Sequence, residues 1–95
     1  MEKVLRVRPE KRGVIPAVVH ADGGSRVQTV DIRTQPLFHH LLESVRESTG
    51  IACVLNTSFN LNGEPIVEKP ADAVRTFMTS GMDALIMGSH VLTKI

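Results

Sequence analysis

Ile51-Ala52-Cys53-Val54-Leu55 runs directly into Asn56-Thr57-Ser58-Phe59-Asn60-Leu61-Asn62-Gly63-Glu64-Pro65. The first part is a short unbroken apolar run, the pattern of a strand covered on both faces. The second part is rich in asparagine, with two hydroxyls and a glycine. In α/β folds, ligands collect outside the C-terminal ends of such strands. Hydroxyl and amide side chains, together with freed backbone N–H groups, are neutral donors suited to phosphate or carbonyl oxygens. The same residue types are also the usual material of a plain turn, so composition leaves both readings open. Nothing here has the form of a Walker loop or a Rossmann fingerprint.

On either side of this stretch the signals are helical. Pro36 suits a first helical turn, Leu37, Leu41, Leu42 and Val45 recur at helical spacing, and Thr49-Gly50 supplies a stop. His39 and His40 fall on this helix but diverge by about 100° around it, so they cannot chelate one metal side by side. Pro70 opens a second helix with an apolar stripe of Val74, Phe77 and Met78, with Asp72 near its positive end and Gly81 as its stop. Glu68-Lys69 stands where a small hydroxyl residue usually caps such a helix.

Strand patterns flank the helices. Val4 to Val7 alternates apolar and basic residues and reads as an edge strand ending at Pro9. Val14 to His20 and Arg26 to Ile32 read as a hairpin turning through Asp22-Gly23-Gly24-Ser25. Ala84 to Met87 and Val91 to Lys94 read as strands around Gly88-Ser89. The expected fold class is α/β (mixed α+β), with a mixed sheet of about five short strands and two helices.

With 95 residues, 42% of them hydrophobic and 22% charged, the chain is one small domain at most and too apolar for a disordered tail. Three Phe and no Trp or Tyr leave the core to aliphatic residues and Met. Five cations (Lys3, Arg6, Arg8, Lys11, Arg12) lie close together near the start. Such a segment suits nucleic acid or a phosphorylated ligand, but it also suits a solvated strand edge guarded against aggregation. The edge reading is preferred, because a nucleic-acid footprint usually spreads over a whole face. The single cysteine, Cys53, excludes an internal disulfide and any zinc site built on several cysteines. There is neither an apolar run of membrane-spanning length nor a signal-peptide core, so a soluble cytoplasmic protein is expected.

Several blocks together resemble one family. Pro16-Ala17-Val18-Val19-His20-Ala21-Asp22-Gly23-Gly24-Ser25-Arg26-Val27-Gln28-Thr29-Val30 is similar to a block of the NodU/CmcH-type carbamoyltransferases. Pro36-Leu37-Phe38-His39, Leu55-Asn56-Thr57-Ser58-Phe59-Asn60, Gly63-Glu64-Pro65-Ile66-Val67, Pro70-Ala71-Asp72-Ala73 and Gly81-Met82-Asp83-Ala84-Leu85 continue the likeness in order. It covers about residues 14 to 88.

The resemblance implies that residues 14–95 are the C-terminal half of a YrdC-like domain, preceded by a basic strand or linker over residues 1–13. The parent enzyme would use ATP and carbamoyl phosphate to make a carbamoyl-adenylate. A large N-terminal domain carrying a metal ion would then pass the carbamoyl group to a hydroxyl of a small molecule. On this reading, both that domain and the first half of the YrdC-like domain would lie outside this sequence. The chain is therefore expected to be a fragment or a truncated product, inactive alone and prone to self-association.

By matching position, Arg26 would contact the oxygens of carbamoyl phosphate through its permanently charged fork. Ser58 and Asn56 would donate to the same ligand, with Asn60 and Thr57 shaping the loop. His20 would take the carbamoyl end or serve structurally. Glu64 would orient Arg26 or remain an exposed turn carboxylate, and Gly63 is a backbone requirement. No catalytic residue and no metal ligand is expected in this chain, and nucleic acid is not an expected partner. Two other readings remain: a stand-alone nucleotide- or RNA-binding module without catalysis, and an interaction domain in which the polar loop is only a turn.

Overall fold

A computed structural model describes residues 3 to 95; Met1 and Glu2, part of the expected basic N-terminal segment, lie outside the described residues. The chain divides into two compact units, residues 1–55 and 56–95.

In the first unit, β1 (Val4–Arg6) pairs antiparallel with β2 (Gly24–Arg26). The register sets Val4 opposite Arg26, Leu5 opposite Ser25 and Arg6 opposite Gly24. The expected edge strand is therefore present, but its partner is not the expected one. Val14 to His20 does not form a hairpin arm. Pro16 lacks an N–H and has a fixed φ, and it opens a short 3-10 turn over Pro16–Val18 in place of a ladder. Residues 27 to 30 continue beyond β2 without becoming strand, apart from a Val27 N–H bond to the Lys3 carbonyl (3.4 Å).

Helix α1 (Pro36–Thr49) forms where the proline, the leucine spacing and the glycine stop place it. The Gly50 N–H bonds the Arg46 carbonyl (2.7 Å) with φ at 84°, a C-terminal closure that favours glycine. Its apolar stripe is not buried: Leu37 is 83% exposed, and Leu42 and Val45 are only half-covered. The run Ile51–Leu55, expected to be a doubly covered strand, has no pairing partner among the described residues and is largely exposed. A strand needs a neighbour for its N–H and C=O groups, and apolar character alone does not supply one.

The second unit holds the buried core. Helix α2 (Pro70–Met78) packs Ala73 and the fully buried Phe77 against Leu85. Phe59, Val67, Val74, Met82, Met87 and Leu92 close around them. The helix stops before Gly81, because the Thr79 hydroxyl bonds back to the Arg75 carbonyl (2.9 Å) and the Ser80 hydroxyl to that of Phe77 (3.0 Å). Lys69 gives it no side-chain cap, as the sequence implies. Strands β3 (Ala84–Met87) and β4 (His90–Thr93) form an antiparallel hairpin around Gly88-Ser89, with Met87 opposite His90. Lys94 lies over the Phe77 ring at 4.8 Å and donates to the Ser80 carbonyl. The mixed α+β class is as expected, with four strands in two small sheets among the described residues in place of one sheet of about five. No described helix is long and apolar enough to cross a membrane.

Phe77 is the largest side chain removed from water, so Phe77→Ala should cost about 3–5 kcal/mol, whereas Leu37→Ala on the exposed face of α1 should change stability little. Thermal unfolding followed by circular dichroism checks this. Equal losses from the two substitutions would contradict the placement of the core.

Candidate functional site

Two groups of predicted site residues fall in separate units. His20 and Arg26 belong to the first; Asn56, Thr57, Ser58 and Asn60 belong to the second.

In the first unit, the segment from His20 to Arg26 is built around a closed turn. An Asp22 carboxylate oxygen accepts the Gly24 N–H (2.9 Å). The His20 N–H bonds the Gly24 carbonyl (2.7 Å), and the Gly23 N–H bonds the His20 carbonyl (2.9 Å). Gly23 has φ at +85°, which a side chain tolerates poorly, and an added Cβ would come within 2.6 Å of the Arg12 guanidinium carbon. The Val7 N–H bonds the Gly23 carbonyl (2.9 Å), tying the turn to the end of β1. Gly23, Gly24 and Ser25 are buried, and Arg26 emerges from them exposed.

The sequence places His20 beside Arg26 across a hairpin, and the structure corrects this. The His20 backbone closes the turn onto Gly24, β2 pairs with β1 instead, and the imidazole is on an exposed residue. Arg12 is also accounted for: its Nε–H donates to the Val7 carbonyl (3.2 Å) while the guanidinium packs on Gly23. Of the five cations near the start, Arg12 is thus committed to the fold.

Electrostatics reinforce the turn. The Asp22 carboxyl is held below its ordinary value, chiefly by the Gly24 N–H, with His20 and Arg6 contributing charge and desolvation opposing them. Elsewhere in this unit, Arg33 bonds Asp31 (2.7 Å) and Arg46 bonds Glu43 (2.6 Å), lowering both carboxyls. Arg26 has no carboxylate within ion-pair distance among the described residues.

In the second unit, Asn56, Thr57 and Ser58 are exposed on irregular backbone, and the Thr57 hydroxyl reaches only the Ser58 carbonyl (3.4 Å). Asn60 is tied into the loop. Its Nδ2 donates to the carbonyls of Leu61 (3.1 Å) and Glu64 (3.0 Å), clamping a turn in which Gly63 has φ at +85°. The Asn60 Oδ1 is buried without a partner. Such an orphan acceptor costs about 1–3 kcal/mol. The Glu64 carboxylate is exposed and unpaired among the described residues. The sequence places Asp22 in the turn by residue type but does not name its carboxylate as the group that closes it, and it misses Arg12.

Of two surface clefts, about 260 Å³ beside Glu64–Val67 and about 310 Å³ along Val14–Val18 and Ile51–Leu55, neither is lined by Arg26, His20, Asn56, Thr57, Ser58 or Asn60, and the first includes Glu64. Among the described residues, no three His, Cys, Asp or Glu side chains gather as a metal site would require.

The turn makes a pH prediction. A carboxyl with a depressed folded value adds stability above its unfolded value and loses it as pH falls through the folded one. The Gly24 amide resonance should therefore titrate with a midpoint below 3.8, the ordinary Asp value, and Asp22→Ala should abolish that titration. A midpoint at or above 3.8 would show that the bond between Asp22 and Gly24 does not form in solution.

The chain matches the carbamoyltransferase C-terminus family over residues 1–94, extending the likeness through the basic N-terminal segment. It is 44% identical over 94 residues to nodulation protein NolNO of Sinorhizobium fredii, covering 99% of this chain and 14% of that protein. It is 40% identical to nodulation protein NolO of Bradyrhizobium diazoefficiens, covering 99% of this chain and 17% of that protein. With the 3'-hydroxymethylcephem-O-carbamoyltransferase of Streptomyces clavuligerus it shares 39% identity over 90 residues, 95% of this chain and 17% of the relative. The chain thus spans less than a fifth of the length of each of these relatives. On the extent of these matches, the chain belongs to the carbamoyltransferase C-terminus family.

Proposed function

We propose that this chain supplies carbamoyl-phosphate-binding groups to an ATP-dependent O-carbamoyltransferase. In that enzyme, carbamoyl phosphate is activated as a carbamoyl-adenylate, and the carbamoyl group passes to a hydroxyl of a small molecule. The family match and a relative named for O-carbamoylation of a hydroxymethyl group support this reading. A further metal-carrying domain of the parent protein would hold the acceptor.

The observation that carries the proposal is Arg26. It is an exposed guanidinium at the end of a strand whose preceding residues are buried and bonded, so its backbone is fixed before a ligand arrives. With the backbone already set, only the side chain has to be ordered when the guanidinium meets an oxyanion, which it can bind through two parallel N–H bonds. Positioning and charge stabilisation of this kind carry most of the catalysis in phosphoryl and acyl-phosphate chemistry. In the other unit, the exposed hydroxyl of Ser58 and the amide of Asn56 are neutral donors of the type that binds phosphate or carbonyl oxygen. Asn60 fixes the loop that follows them.

Calorimetric titration with carbamoyl phosphate tests the assignment. Arg26→Gln should weaken binding at least about tenfold, the usual loss for a hydrogen bond to a charged group, and Ser58→Ala should weaken it less. Binding unchanged by Arg26→Gln would refute the assigned role.

A further inference from the structure

We infer that Arg6 is a second oxyanion-binding residue, acting with Arg26 on the phosphate group of one phosphorylated small ligand. The inference rests on the carbamoyl phosphate reading and deepens it. In an antiparallel ladder, opposed residues point to the same side, as do alternate residues along a strand. Arg6 lies opposite Gly24, and Arg26 is two residues further along the same strand, opposite Val4. Arg6 and Arg26 therefore share one face as diagonal neighbours, a spacing of about 7–8 Å that two arginine side chains can close around a single phosphate.

Between them, on that face, Gly24 carries no side chain. A Cβ there would meet the Val4 methyl at 3.0 Å and the Asp22 carboxylate at 3.1 Å. In the free chain Arg6 leans the other way, toward the turn, its Nη1 donating to the Asp22 carbonyl at 3.4 Å; this exposed, long bond is weak, so Arg6 must give it up to meet a phosphate shared with Arg26. The nearby negative charge, Asp22, is engaged by the Gly24 N–H and acts on Arg6 at a distance instead of pairing with it.

The other arginines do not offer this arrangement. Arg33, Arg46 and Arg75 are each paired with a carboxylate. Arg12 is spent on Val7 and Gly23, and Arg8 lies beyond the ladder. The pairing register thus selects Arg6 from the basic segment. Two guanidinium groups on one phosphate match its charge and its several acceptor oxygens better than either alone.

The test is titration of the full chain with carbamoyl phosphate, read by amide chemical shifts, for the parent sequence and for Arg6→Gln, Arg26→Gln and Arg8→Gln. Arg6→Gln and Arg26→Gln should each weaken binding about tenfold, with Arg8→Gln close to the parent. Arg6→Lys, which keeps the charge and the strand, should fall between the parent and Arg6→Gln. If only Arg26→Gln weakens binding, the role of Arg6 is overturned while the carbamoyl phosphate reading stands. Equal weakening by Arg6→Gln and Arg8→Gln would mean diffuse charge and would also overturn it. No binding by the parent chain, or none of the variants differing from it, would overturn both.

Discussion

The bond from the Gly24 N–H to the Asp22 carboxylate closes the turn on which the first unit depends. Once the turn is closed, Gly23 takes its positive φ, its carbonyl meets the Val7 N–H, and β1 is set against β2 in one register. A slip of one residue would send every side chain of a strand to the opposite face. The placement of Arg26, and of Arg6 beside it, is therefore a consequence of this closure. Arg12 seals it from outside by lying on Gly23, where only a hydrogen atom leaves room.

The two units are held by different physics. The second has a small apolar centre around Phe77, made by one helix and one hairpin, with Phe59 and Val67 of the preceding loop packed against it. Among the described residues, the first has no large buried apolar side chain; what it buries is backbone and a serine, at Gly23, Gly24 and Ser25. Individual hydrogen bonds contribute about 0.5–1.5 kcal/mol net, so a unit built on them is set by many small, directional terms. Such terms fix geometry well and resist unfolding poorly.

Much of this was legible from residue order. The proline starts and the Gly50 stop gave both helices, and Gly88-Ser89 gave the last hairpin, because these signals act within a few residues. Partner choice was not legible. The alternation from Arg26 to Ile32 and the apolar run from Ile51 to Leu55 both read as strand, yet pairing depends on which neighbour is available, and periodicity carries no such information. The expected arm from Val14 to His20 failed at Pro16 for a local reason, and β1 took its place. At the site, the residue types were readable but their duties were not. Asn60 has both amide N–H groups occupied by its own loop and Arg12 supports the backbone, whereas Arg26, like Asn56, Thr57 and Ser58, stands exposed.

The central claim is that the turn from His20 to Gly24 is formed in the free chain and holds β2 ready before any ligand binds. Amide hydrogen exchange on the unliganded protein tests this most directly. The account predicts slowed exchange at Val7, His20, Gly23 and Gly24, the donors that close the turn, while Gln28 and Thr29 exchange freely. Unprotected exchange at those four amides, with α2 still protected, would contradict it: the first unit would then be disordered without ligand, and Arg26 would not be held in advance.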